Sequence, residues 1–244
     1  MSTNVDQKLL LAGGRILASI LVELKQIVAV GVATMDLENK ARAMIKQAGV
    51  RPAFLGFGKY PAVLCTCVNM GIVHCVPRID EILKNGDIIS LDLGIEYQGY
   101  FFDAALTVPV GEVSESAHRL ILVAKKALKR GLKKARVGNT TGDIGNTIER
   151  YVKSQGFSVI PELCGHGIGR RLHEDPQICN YGQRGRGTKL YEGQLICIEP
   201  MICNGSGKIT KAKDGFGWQT ADGSLAAHFE HTILVKKGGC LVLT

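Results

Sequence analysis

The sequence predicts an α+β fold built as one domain of two similar halves, about residues 1–112 and 113–244. Three observations predict it. The order helix, helix, then short strands occurs twice along the chain. No linker-like stretch rich in Pro, Ser or charge separates the two runs. Apolar residues make up 45% of the chain and charged residues 21%, which is the balance of a packed globule and excludes a disordered chain.

The first helix is expected over residues 5–29, where Leu9, Leu10, Ile16, Leu17, Ile20, Leu21 and Leu24 recur at helical spacing. The second is expected over Thr34–Gln47, with Leu37, Ala41, Met44 and Ile45 as its stripe and Gly49 past its end. Short apolar runs bounded by turn residues then predict strands over 62–68, 87–95 and 100–108. A long helix is expected over 114–135, with Ser114 and Ser116 available to cap it and a basic last turn. Another is expected over 141–155, stopping at Gly156. Strands return after it, notably 194–203 and 226–235.

Several classes are excluded by composition. Eight cysteines include no C-x-x-C pair, and most sit inside apolar runs such as Leu195-Ile196-Cys197, so reduced thiols in a cytoplasmic core are expected, not a disulfide scaffold. Residues 1–7 are polar and the apolar residues after them are broken by Gly13, Gly14, Arg15, Glu23 and Lys25, so no signal peptide is expected. No run of about 18 apolar residues exists to span a membrane. The formal charge of +8 tolerates an anionic partner and says nothing of fold.

Chemistry enters through acids in apolar strands. Asp92 lies in Leu91-Asp92-Leu93 and Asp103 in Phe102-Asp103-Ala104. A hairpin with Tyr97-Gln98 as its two-residue loop would set them directly opposite each other. Opposed Cβ atoms there lie about 4.5–5.5 Å apart, and like charges at that range destabilise a sheet. A shared proton, a basic partner or a divalent cation would relieve them. Glu199, in Ile198-Glu199-Pro200, and Glu230, in Phe229-Glu230-His231, repeat the anomaly. His166 stands between Gly165 and Gly167, which leave its imidazole room to bind. Four carboxylates and one nitrogen suit hard or borderline divalent ions, and two such ions balance the charge. A dinuclear hydrolase site follows, with metals roughly 3.5–4 Å apart.

These stretches resemble the type I methionine aminopeptidases, in their short bacterial form, from about residue 8 to the C-terminus. The resemblance is carried by Gly165-His166-Gly167-Ile168-Gly169-Arg170, His173-Glu174-Asp175-Pro176, Ile198-Glu199-Pro200-Met201 and Phe229-Glu230-His231-Thr232, with Asp92 and Asp103 separated by 11. It implies the pita-bread fold and removal of the initiator methionine from nascent chains with a small second residue. It also implies Asp92, Asp103, His166, Glu199 and Glu230 as metal ligands, Asp103 and Glu230 bridging. Under it His74 and His173 contact substrate, Glu199 also shuttles the proton, and Phe54, Phe57, Tyr60, Cys65, Phe216 and Trp218 fall where a methionine pocket lies. The metal would be Co, Mn, Fe or Zn. A monomer in the cytoplasm is expected.

The chain departs from the family pattern at Cys75 (commonly Gly), His228 (commonly Gln), Phe54 (a small residue, often Cys) and Leu9-Leu10-Leu11 (commonly ending Met-Arg). The 31 residues from Glu199 to Glu230 leave no room for the insertion of type II enzymes, and no separate domain like that of Xaa-Pro peptidases fits before residue 50. Two other readings compete: a weak or silent binding protein on the same fold, and a broader aminopeptidase. The basic run 125–134 reads either as a solvated helix face or as a dock for ribosomal RNA. Residues 138–145 lack the lysine of a phosphate loop.

Overall fold

The computed structural model describes residues 6–244. α1 (Gln7–Ile27) starts at Asp6, whose carboxylate accepts from the N–H groups of Lys8 and Leu9. The expected start at residue 5 lies outside the described residues. α2 (Thr34–Gln47) matches its expected span, and Gly49 follows it with φ +66°.

The strands of the first half are β1 (Arg51–Pro52), β2 (Leu64–Val68), β3 (Gly71–Val73), β4 (Ile88–Tyr97) and β5 (Tyr100–Pro109), with a short 3-10 turn at Phe57–Lys59. β4 is the spine: β5 lies along one edge, β1 and β2 along the other, all antiparallel. α1 packs its buried stripe of Leu10, Leu17 and Leu24 on Leu91, Leu93 and Phe102 of this sheet. Gly13 allows the approach, since a Cβ there would stand 2.6 Å from Phe102 Cζ.

The second half repeats the order. α3 (Glu115–Leu132) is capped by Ser114, which accepts from Ala117 N–H at 3.2 Å. α4 (Thr141–Ser154) opens with a reciprocal cap between Thr140 and Asp143. β6 (Ser158–Val159), β7 (Cys164–Gly167), β8 (Glu174–Cys179), β9 (Leu195–Ile198), β10 (Met201–Cys203), β11 (Ile209–Lys211), β12 (Trp218–Thr220), β13 (Ala226–His228), β14 (His231–Lys236) and β15 (Gly239–Val242) follow. β15, β14, β9, β7 and β8 form one sheet, and Ile196, Ile198 and Ile233 from it pack with Leu120, Ala124 and Ile148 of the helices. β13-β10-β6 and β11-β12-β3 form two smaller sheets.

Two expectations are corrected. The hairpin loop is Gln98-Gly99, since Tyr97 pairs with Tyr100. Both loop residues have positive φ, +49° and +78°, the conformation a tight two-residue hairpin needs, and Gly99 supplies one of them without strain. The register therefore shifts, so that Asp92 faces Ala105 and Asp103 faces Gly94. The two aspartates share a face diagonally and are not directly opposed.

The strands expected over 194–203 and 226–235 are each cut in two. The first breaks at Glu199-Pro200, between β9 in the large sheet and β10 in a small one. The second breaks at Phe229-Glu230, between β13 and β14 in the same two sheets. Pro200 has no N–H to donate, which ends a ladder there. Both glutamates thus sit where the chain changes sheets.

Candidate metal centre

The halves join at the acids. Glu230 N–H donates to the Ala105 carbonyl at 2.9 Å. Asp103 N–H donates to Thr232 Oγ1 at 2.9 Å, and the Thr232 hydroxyl donates to the Asp103 carbonyl at 2.8 Å. These bonds hold β5 of the first half beside β14 of the second and bring Asp103 to Glu230. Asp92 reaches them along the β4–β5 diagonal. Asn180 Nδ2 donates to the Glu199 carbonyl at 2.9 Å and fixes that corner. His166 Nδ1 lies 2.9 Å from the Gly167 carbonyl, which makes that nitrogen the N–H and leaves Nε2 with its lone pair. Nε2 is 3.6 Å from Glu199 Oε1 and 4.0 Å from Asp103 Oδ2.

Asp92, Asp103 and Glu230 each present one ligand atom within 4.8 Å of the others. All four carboxylates are buried, and Asp92 Oδ1, Asp103 Oδ1 and Glu230 Oε1 have no hydrogen-bond partner. Among the described residues no lysine or arginine pairs with any of them, and histidines are their only basic neighbours. Burial raises the carboxyl pKa of all four. It is reinforced by Glu230 beside Asp103, by Asp92 beside Glu199, and by Glu199 beside Glu230. Burial, with His173 next to it, pulls His166 down to about 4. An unmet buried oxygen costs about 1–3 kcal/mol, more when charged. Three of them turned on one another, with a neutral imidazole, fit a site for divalent cations.

The acids and His166 line one side of a cavity of about 840 Å³. Phe54, Tyr60, Cys65 and Phe216 line the same cavity, and Phe57 is half exposed on its wall. Tyr60 and Phe216 meet edge to face at 5.7 Å, and the Tyr60 hydroxyl donates toward the Leu64 and Cys75 carbonyls at 3.0 Å each. The Phe54 ring lies over Gly94, where a Cβ would come within 2.6 Å of it. Trp218, expected in this wall, is absent from it; Lys211 Nζ covers its ring at 4.2 Å. His74 and His173 both reach the cavity and are solvent-accessible. His173 stands edge-on to His166 at 4.3 Å and to Phe57 at 5.1 Å. Of the thirteen residues expected at the site, the structure brings all but Trp218 to this one cavity.

Residues 8–237 match the model of metallopeptidase family M24. The chain belongs to this family. It is 42% identical over 231 residues to a methionine aminopeptidase of Clostridium perfringens, covering 95% of this chain and 92% of that one. It is 40% identical to methionine aminopeptidase 1 of Bacillus subtilis, covering 95% and 93%. The crystal structure of methionine aminopeptidase from Thermotoga maritima superposes with a TM-score of 0.97 at 39% identity, covering 99% of this chain and 97% of that one. Prolidase from Pyrococcus furiosus, 23% identical with a TM-score of 0.78, shares the fold over 64% of its own length. The pita-bread fold expected from the motifs is the fold of this M24 chain.

Two side chains at the centre were not read as site residues from the sequence. Cys197 Sγ lies 3.5 Å from Thr232 Oγ1 and shares a cluster with His166 and Glu230, and burial pushes its thiol up. His228 is 1% exposed, with Nε2 3.4 Å from Glu199 Oε2. Its signal was its spacing of two from Glu230, which can set both on one side of an extended chain. Cys75, also a departure, packs into space left by two glycines: a Cβ on Gly71 or Gly217 would lie 3.0 or 2.9 Å from its sulfur.

Proposed function

We propose that this M24 metallopeptidase is a methionine aminopeptidase, removing the initiator methionine from peptides and nascent chains whose second residue is small. The observation that carries the reading is the set of buried acids without a cationic side-chain partner, in one cavity with an aromatic and thiol wall. Asp92, Asp103, His166, Glu199 and Glu230 would hold two divalent ions. When bound, the ions supply Lewis acidity and a water of lowered pKa.

The chain's own groups do the rest. Phe54, Tyr60, Cys65 and Phe216 receive the unbranched thioether side chain and exclude water from it. The His173 imidazole donates a hydrogen bond to the scissile carbonyl oxygen, where negative charge grows. His74, which lines the same cavity, contacts the bound peptide. Glu199 takes the proton of the attacking water on a carboxylate oxygen and returns it to the leaving amine. All of this falls to one catalytic unit made of both halves.

Among the described residues, no helix is long and apolar enough to cross a membrane. We place the enzyme in the cytoplasm as a monomer, where chains with initiator methionine emerge. Lys125, Lys126, Lys129 and Arg130 are exposed on α3 and give it a basic face for ribosomal RNA.

The test is turnover by metal-loaded protein on peptides beginning Met-Gly, Leu-Gly and Met-Pro, with metal content measured in parallel. Selective release of Met supports the reading. Equal release of Leu makes it a broad aminopeptidase, and metal binding without turnover makes it a binding protein.

A further inference from the structure

One buried side chain at the centre has no part in that scheme. His228 is 1% exposed, and neither ring nitrogen has a hydrogen-bond partner. Its position is not slack. The His228 N–H donates to Thr107 Oγ1 and the Thr107 hydroxyl donates to the His228 carbonyl, both at 2.8 Å. Pairing with Met201 holds it from the other strand. A polar ring fixed in this way and left unpaired calls for a partner of another kind.

The ring's neighbours indicate which kind. Nε2 lies 3.4 Å from Glu199 Oε2 and 3.9 Å from Glu230 Oε2, and neither contact is a hydrogen bond. Glu199, His228 and Glu230 each offer a ligand atom within 4.8 Å of the others. Two donors bound to one tetrahedral ion at about 2.1 Å are themselves about 3.4 Å apart. The other end of the same carboxylate repeats the pattern, with His166 Nε2 3.6 Å from Glu199 Oε1. Glu199 therefore stands between two imidazoles, one at each oxygen.

We propose that His228 is a sixth donor to the metal centre, its Nε2 joining Glu199 and Glu230 as donors to an ion there. The inference rests on the dinuclear centre proposed above. Its consequence is a change in ion preference. Imidazole favours zinc and its neighbours, whereas an all-oxygen position suits manganese or magnesium. Gln at this position, as in the family pattern, supplies an amide in place of the aromatic nitrogen.

Zinc-loaded protein and its His228→Gln variant are compared by X-ray absorption at the zinc edge, which counts imidazoles through their outer-ring carbons. Wild-type protein is expected to show about one imidazole per zinc and the variant about half that number. Competition against a chelator is expected to lower the zinc-to-manganese affinity ratio of the variant by about tenfold or more. Half an imidazole per zinc in the wild type overturns the proposal whether or not the variant folds. So does an unchanged count in a folded variant, even with altered affinity, because His228 would then act only through the carboxylates. A wild type that binds no zinc overturns both this inference and the metal centre beneath it.

Discussion

Asp103 concentrates the chemistry of the centre. Its carboxylate is buried against Glu230 and Asp92, and its Oδ1 has no partner. A neutral amide of the same shape keeps the packing and removes the charge that a cation needs. Asp103→Asn should lower both metal affinity and turnover, as read by metal titration and peptide assay, and unchanged metal binding would remove Asp103 from the ligand set. His173 offers the contrast. It is accessible and touches His166 only ring to ring. His173→Ala should keep its metal while turnover falls about 100-fold or more, the scale of one lost transition-state hydrogen bond. Loss of metal with the ring would contradict that role. Phe54 fills the wall over Gly94. Phe54→Cys should broaden the first residue accepted, read as kcat/KM for Met, norleucine and Leu, with a change of about 1–3 kcal/mol per methylene as the ceiling. The acids were legible in the sequence because charge inside an apolar strand needs a reason. His228 was read only as a departure from the family pattern, since its spacing of two from Glu230 is ambiguous until its neighbours are known.

The loop between β11 and β12 carries Phe216 into the cavity, and a single carboxylate shapes it. Asp214 accepts from the N–H groups of Phe216 at 2.8 Å, Gly217 at 2.7 Å and Val76 at 2.9 Å. The last of these ties the loop to the segment just after His74. The backbone donors hold the Asp214 carboxyl below its usual range, against the opposing effect of burial. A group whose pKa is lower folded than unfolded stabilises the fold above the unfolded value, near 3.9, and that contribution is lost as pH falls through the folded one. Acidification below about pH 4 should therefore loosen this loop in the wild type. Asp214→Asn, which weakens the acceptor at every pH, should raise KM for methionyl peptides more than it lowers kcat, with less difference in stability between pH 5 and pH 3. A kcat loss with KM unchanged would count against a role in shaping the pocket. Most elements were readable in advance, because helical stripes and caps such as Ser114 are local signals. The hairpin register was not, since it turned on which residues take positive φ, and Gly99 decided that by one position. The cuts at Glu199 and Glu230 were also hidden. An apolar run looks the same whether it stays in one sheet or passes into the next.

For the molecule as a whole, the site exists only because two halves meet. Two cores lie under the helices: one under α1 and α2 also takes in Leu195, Cys197 and Leu234 of the second half, and one under α3 and α4 takes in Ile88 of the first. Neither half holds the whole of the proposed ligand set: Asp92 and Asp103 come from the first, and His166, Glu199 and Glu230 from the second. Thr232 lies at the junction. It is fully buried, its hydroxyl donates to the Asp103 carbonyl, and the same oxygen accepts the Asp103 N–H. Valine has nearly the same shape but can do neither. Thr232→Val would leave both backbone groups of Asp103 unpaired beside the centre, at about 1–3 kcal/mol for each unmet group. In a chain of this size about 1 kcal/mol moves the melting temperature by roughly 2–4 °C. The variant should melt several degrees lower, and it should also bind divalent metal more weakly, because Asp103 is no longer fixed against Glu230. The two losses are coupled. Adding metal in excess stabilises a folded protein in proportion to its affinity, so the melting temperature gained on metal addition should be smaller in the variant than in the wild type. Calorimetry with and without metal measures both. An equal gain in the two proteins would mean that the junction carries stability alone and that the halves position their acids independently of it.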